Sequence, residues 1–313
     1  MSGPDLFTLQ AFAAEHNVIV LDPIPDGRIH RVPTVTKPHK RNGAYLFDGE
    51  RFGVMSFDEG HERMLWLRGD GHDNKPDPAH AARWLARRQQ ADHERRKRAG
   101  RAANMAAAML EQAEIRSHSY LSRKGFPKEM GLVVDGVQIK IGDALRTFDD
   151  VLLVPMRSLA GDLIGLQRIY FDGERFDKRY LHGTPPQGAV FRLGPPQARE
   201  TWLCEGYATG LSVKAALAQM RINAAVLVTF SAGNLVHISG AVGGRKFVAA
   251  DNDPPNEQFP ARGETGQKAA KATKLPWCMP ERSGDDFNDL HQREGIFAVC
   301  DLIMGLRRTR AAA

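Results

Sequence analysis

Trp202-Leu203-Cys204-Glu205-Gly206-Tyr207-Ala208-Thr209-Gly210 is a short apolar run that ends in one carboxylate, meets a glycine and passes into a helical pattern. The design recurs twice downstream. Lys246-Phe247-Val248-Ala249-Ala250 ends in Asp251-Asn252-Asp253, and Leu275 to Pro280 leads to Gly284-Asp285-Asp286-Phe287-Asn288-Asp289. Short apolar runs bounded by turn signals read as buried strands, and helical patterns between them imply a parallel sheet. Ligands of open parallel sheets sit beyond the carboxyl ends of the strands. All three acidic clusters fall at those ends, which predicts one sheet edge carrying Glu205, Asp251, Asp253, Asp285 and Asp286, with Asp289 either joining them or capping the closing helix. One acidic residue after a strand is an ordinary turn or cap residue; three clusters on one edge favour a shared role. Crowded carboxylates raise one another's pKa. A hard divalent cation relieves that repulsion, and an oxygen-rich set suits magnesium or manganese.

The rest of the chain frames this edge. Its 313 residues suffice for two or three modest domains with a sizeable core. Hydrophobic content of 42% and charged content of 26% describe a globular chain. No apolar run approaches the roughly 20 residues that cross a bilayer, and Met1-Ser2-Gly3-Pro4-Asp5 lacks the basic-then-apolar order of a signal peptide. Cys204, Cys278 and Cys300 are widely spaced, which fits small apolar residues in a reducing bacterial cytoplasm and argues against zinc. The net charge of +6 says less about nucleic acid than its distribution does.

In chain order, residues 1–77 read as a small β-rich region. Phe7, Leu9, Phe12 and Ala13 fit a helix with Asp5 as N-cap, and the runs Arg28–Val32, Ala44–Phe47 and Phe52–Phe57 fit strands, with Asp48-Gly49 as a hairpin turn. Its lysines and arginines suit either template contact or a solvated face. Residues 78–117 read as a long basic helix and linker. Arg88 and Arg95 in it face either phosphate or water. Residues 118–196 follow, opened by Arg123 and Lys124, with strands at Val151–Arg157 and Leu163–Tyr170 that carry Arg157 and Arg168 beside apolar neighbours. Lys178-Arg179-Tyr180-Leu181 and Arg192 complete the basic set. Arginine fits phosphate bidentately and stays charged; each arginine alone also fits an edge strand facing water. Residues 197–313 form the acidic unit, closed by one helix from Asp286 to about Leu306 and a basic tail at Arg307, Arg308 and Arg310.

Glu-Gly-Tyr-Ala-Thr-Gly at 205–210, Asp-Asn-Asp at 251–253 and Asp-Asp-Phe-Asn-Asp-Leu at 285–290 resemble the Toprim domain of phage and plasmid DNA primases, and the likeness spans roughly residues 118–300. The Pro-x-Arg, Gln-Arg and Lys-Arg-Tyr-Leu order of residues 155–181 is similar to the basic subdomain before Toprim in bacterial-type primases. One departure is the irregular insert at residues 254–263, which displaces the following glycine and helix.

The resemblance implies an α/β fold: a Rossmann-like, four-stranded, mostly parallel Toprim sheet, preceded by an α+β basic subdomain. It implies a primase that makes short RNA primers from ribonucleoside triphosphates on single-stranded DNA. Asp251, Asp253, Asp285 and Asp286 would bind two Mg2+ or Mn2+ ions, with Glu205 as a further ligand or as general base. Arg157, Arg168, Lys178, Arg179, Tyr180 and Arg192 would face that cluster across a groove for nucleotide, template and primer; the priming reading asks that Arg168 and Arg179 point at the carboxylates. The chain holds no Gly-x-x-x-x-Gly-Lys-Ser/Thr motif, so unwinding would fall to a separate helicase. A metal-dependent Toprim nuclease and a non-catalytic single-stranded-DNA-binding factor are the alternatives. The basic motifs at 157–180 argue against the first and the full carboxylate set against the second.

Overall fold

The computed structural model describes residues 5–58, 64–67, 78–142, 144–256 and 263–311, and only the backbone at 78–88, 91 and 309–311. The chain divides into two compact units, Met1–Asp92 and His93–Ala313. In the first, α1 (Leu6–Glu15) precedes β1 (Ile29–Val32), β2 (Gly43–Phe47), β3 (Phe52–Ser56) and β4 (Leu65–Trp66), which pair in sequence order as an antiparallel sheet. Asp5 caps α1 by accepting from the Thr8 amide at 2.9 Å. Leu9 and Ala13 of α1 pack on Tyr45, Phe47, Phe52 and Val54, whereas Phe7 turns out to solvent. Burial alone would raise the Asp58 carboxyl, yet hydrogen bonds from Thr34, Lys37, Asn42 and Thr36 outweigh it and bring its pKa to about 2.

The unit boundary falls inside α2 (Pro78–Gln112), a helix that runs through Gly100 without a break. Beyond it come β5 (Glu114–Ser117), α3 (Ser119–Arg123), β6 (Met130–Val134), β7 (Val137–Ile141), β8 (Ala144–Phe148), β9 (Val151–Arg157), β10 (Leu163–Phe171) and β11 (Phe176–Tyr180). β7 and β8 form a separate hairpin; the others make an antiparallel sheet in the order β11-β10-β9-β6-β5. Side chains alternate across such a sheet. Leu152, Val154, Met156 and Ile169 point to one core, and Val151, Leu153, Leu166 and Tyr170 to another, which includes Ala106 of α2. β9 is therefore buried on both faces, as its unbroken apolar run requires.

The C-terminal part is doubly wound. β12 (Phe191–Leu193), β13 (Glu200–Cys204), α4 (Tyr207–Gln219), β14 (Ala224–Val228), α5 (Ala232–Ala241), β15 (Arg245–Ala249), α6 (Thr265–Thr273), β16 (Trp277–Cys278), α7 (Phe287–Glu294) and α8 (Ile296–Ala311) follow in turn. The sheet order is β12-β14-β13-β15-β16. Five strands replace the expected four, because residues 191–193, read with the preceding basic region, add an antiparallel edge to four parallel strands. The expected single closing helix is two, divided at Gly295, whose φ of 86° suits glycine alone. Arg307 is no free tail: it pairs with Glu200, which is buried at the start of β13. From β13 the chain winds first to β14 on one side, then to β15 on the other. The crevice at that reversal is where ligands of such sheets bind.

Candidate active site

Glu205 follows β13 and Asp251 follows β15, so the two central parallel strands deliver their first carboxylates to the two sides of the reversal. Asp251 Oδ1 is buried with no hydrogen-bond donor among the described residues. Burial first, then Asp286, Glu205 and Asp253, push the Asp251 carboxyl well above its ordinary range, with Lys178 opposing them. The Glu205 carboxyl is raised by burial and by Asp253, again against Lys178.

Two neighbours are anchored by helix starts. Asp253 accepts from the Thr265 hydroxyl and from the Gly266 amide at 2.7 Å through Oδ2, which fixes the first turn of α6. Gly266 is required there: a Cβ would stand 2.4 Å from the Asp251 carbonyl oxygen. Asp286 is the N-cap of α7. Its Oδ1 takes the Asn288 and Asp289 amides at 2.6 and 2.9 Å, its Oδ2 takes the Thr209 hydroxyl at 3.1 Å, and Asp289 closes a capping box on the Asp286 amide. Thr209, which sequence reasoning passed over, thus joins the first acidic motif to the third. Its only signal was its place one helical turn beyond Glu205.

Asp285 does not join the cluster. It is 9% exposed and its carboxylate pairs with Arg293 of α7, so the acidic position facing Asp251 is Asp286. The cause is the turn at Gly284 (φ 89°), after which Asp285 and Asp286 diverge. Asn252 holds the same turn, donating to the Pro280 and Glu281 carbonyls at 2.9 and 3.1 Å.

The basic residues separate into two sets. On β11 Lys178 faces the carboxylates. It is open to solvent along one side, yet protein crowds its ammonium, 5.5 Å from the Tyr120 ring centre. That desolvation lowers its pKa against the pull of Asp286, Asp251, Asp289 and Glu205. Tyr180, two residues on and on the same face, donates its hydroxyl to the Phe230 carbonyl at 2.8 Å, and Glu205 adds to burial in raising its pKa. Arg168 and Arg179, paired across β10 and β11, lie on the opposite face and away from the carboxylates, contrary to expectation. Strand alternation separates Arg179 from Lys178, its immediate neighbour.

The remaining basic positions stand apart. Arg157 is exposed and donates to the Gly161 carbonyl at 3.0 Å, closing the β9–β10 turn. Arg192 is exposed on edge strand β12. Arg123 lies over Phe171 and Phe176, 5.2 and 5.4 Å from the ring centres, and Lys124 is 3.9 Å from Asp289. Arg95 is exposed on α2, and the side chain of Arg88 lies outside the described residues.

Among the described residues no three His, Cys, Asp or Glu side chains are grouped to hold a metal ion together. Glu205 and Asp251 still fit one as a pair. Magnesium is commonly bound through one or two carboxylates, keeping waters and taking substrate phosphates, and the buried, donor-less Asp251 Oδ1 is an acceptor that a cation would satisfy. The three cysteines are free, and no described helix is long and apolar enough to cross a membrane.

Residues 200–296 match the Toprim domain family. Among solved structures the chain is similar to a DNA primase domain from Pseudomonas aeruginosa, with 21% identity over 54% of this chain and 56% of that one and a TM-score of 0.35. It is similar to the RNA polymerase domain of Mycobacterium tuberculosis primase DnaG, with 20% identity over 63% and 71% of the two chains and a TM-score of 0.34. A DnaG primase catalytic domain bound to single-stranded DNA gives 18% identity over 69% and 71%, with a TM-score of 0.34. The chain thus spans little more than half of the first of these. No curated protein matches it.

Proposed function

Because residues 200–296 carry a Toprim domain, we propose that residues 93–313 are the catalytic part of a DNA primase, joining ribonucleotides on a single-stranded DNA template with the help of magnesium or manganese. The observation that carries this is the position of Asp251: one buried oxygen without a donor, amid Glu205, Asp253 and Asp286, opposite Lys178. Such a set destabilises itself as anions and gains from a divalent cation. Glu205 and Asp251 would hold the ion, and Asp253 and Asp286 would hold the helix starts beside it while adding negative charge.

The cation would supply charge neutralisation at the triphosphate and at the attacking and leaving oxygens. Lys178 then has two tasks. It offsets the carboxylates while the site is free, and it offers a positive group to an arriving phosphate, which would otherwise meet only like charge. Tyr180, tied to Phe230 beside the Glu205 strand end, keeps β11 against the crevice so that Lys178 stays in reach. The cationic wall expected for priming is not met by Arg168 and Arg179, which lie on the other face of the sheet. The basic motifs therefore no longer weigh against nuclease action, and the priming reading rests on the Toprim match, the carboxylate cluster and Lys178, with Lys124 near Asp289. A separate helicase would provide unwinding.

The test is incubation with single-stranded DNA, labelled ribonucleotides and Mg2+ or Mn2+, for the native chain and for Asp251→Ala. Short labelled RNA that Asp251→Ala reduces by at least about a hundredfold is expected. Shortened DNA in place of new RNA would replace this reading with nuclease action, and bound DNA without chemistry would replace it with a scaffold.

A further inference from the structure

α3 and its flanking residues, His118 to Gly125, link the two elements that carry Lys178 and Asp286. At its start the buried His118 is the cap. Its Nδ1 accepts the Tyr120 amide at 3.0 Å, so Nε2 carries the proton and donates to the Asp150 carbonyl at 2.8 Å. At its end the buried Asn288 of α7, two residues beyond the N-cap Asp286, donates to the Lys124 carbonyl at 2.8 Å. The short helix is pinned at both ends, and Tyr120 sits between the pins.

Tyr120 is 2% exposed. Its ring meets Phe176 of β11 edge-on, with centres 5.3 Å apart, and the Lys178 ammonium stands over it at 5.5 Å. Phe176 and Lys178 are two residues apart, hence on one face of the strand, and the ring spans both. A cation over an aromatic face is held electrostatically, and more strongly where water is excluded. Lysine carries its charge on a flexible four-carbon stem, so a contact at the ammonium narrows where that charge can go. The hydroxyl of Tyr120 serves differently. It is buried with no hydrogen-bond partner among the described residues, in the field of Asp286, Asp289 and Lys124. An unmet buried hydroxyl is a cost, and phenylalanine would fill the same space without it. The part of Tyr120 that acts on Lys178 is therefore the ring face.

We propose that Tyr120 is a positioning residue, whose ring face holds the Lys178 ammonium toward Asp251, Glu205 and Asp286, where an arriving phosphate meets it. This rests on the priming reading for what Lys178 does, and not for how Lys178 is held. Without the ring, Lys178 swings out on its open side and the carboxylates lose their fixed counter-charge.

The first measurement needs no turnover. Lysines of the full, metal-free chain are reductively methylated with carbon-13, and the Lys178 signal is the one missing in Lys178→Arg. An aromatic face moves methyl signals above it upfield. That shift should be present in the native chain, kept in Tyr120→Phe and lost in Tyr120→Leu. The second is single-turnover ribonucleotide joining at saturating nucleotide. Tyr120→Leu should slow it about tenfold, and the conservative variant Tyr120→Phe should restore it to within about twofold. In a Lys178→Met background Tyr120→Leu should cost less than about twofold more. Should circular dichroism show Tyr120→Leu unfolded, Tyr120→Met, which also lacks a ring, takes its place. An upfield shift that survives loss of the ring overturns the proposal. So do equal losses in Tyr120→Phe and Tyr120→Leu, or an undiminished loss in the Lys178→Met background. If the native chain makes no RNA, the priming reading falls and the methyl shift alone decides the role of Tyr120.

Discussion

The two faces of the β11-β10-β9-β6-β5 sheet are made by the same strands and meet opposite chemistry. One presents Lys178 and Tyr180 to a nest of carboxylates, where the scarce group is a cation. The other presents Arg168 and Arg179 to a cavity where the one carboxylate among the described lining residues, Asp135, is already paired with Arg116. Neighbours in sequence therefore meet different surroundings, and the period of two decides which. A basic stretch read as one wall is two half-walls, back to back.

The comparison breaks most visibly in activity. Lys178→Met should slow template-directed ribonucleotide joining by about a hundredfold, the scale of losing one preorganised charge beside a reacting phosphate. Arg179→Met, across the sheet, should cost less than about tenfold, measured under single-turnover conditions at saturating template. Equal losses would mean that the two faces act on one ligand.

The next largest effect is on stability. Asp251 and Glu205 have folded-state pKa values raised above their unfolded ones, so the folded chain holds their protons more tightly. Stability then falls as pH rises from the ordinary carboxylate range through those raised values. Asp251→Asn removes part of that loss. In EDTA at pH 8 it should raise Tm by about 4 °C, and the gain should vanish by about pH 4, near the unfolded carboxylate value. Thermal scans across pH read this directly.

Smaller changes sharpen the picture. Tyr180→Phe deletes the 2.8 Å hydrogen bond to the Phe230 carbonyl and should cost about 1 kcal/mol in urea unfolding. Arg157→Ala, at an exposed turn, should change stability by less than about 0.5 kcal/mol.

Much of the acidic unit was legible in the chain. Each strand end carrying Glu205, Asp251 and Asp253 is announced by an apolar run and a turn, and the winding between them follows from helical spacing. Asp285 and Asp286 were not separable, because one residue of rotation after Gly284 decides which carboxylate turns to the crevice and which to Arg293. The basic subdomain hid more. Glu114–Ser117 and the β7–β8 hairpin are short and half exposed, with weak apolar contrast. The faces of Arg168 and Lys178 depend on a register set by pairing with β9 and β10. Thr209 and Asn252 act by joining segments far apart in sequence, which no local pattern encodes.

The central claim is that Asp251 and Glu205 together hold a divalent cation. Calorimetric titration of the metal-free chain with Mn2+ tests it without any turnover. Saturable binding at neutral pH, weakened as pH falls and lost in Asp251→Asn, is the predicted result. Mn2+ binding of the same strength in Asp251→Asn, or its absence in the native chain, would contradict the account.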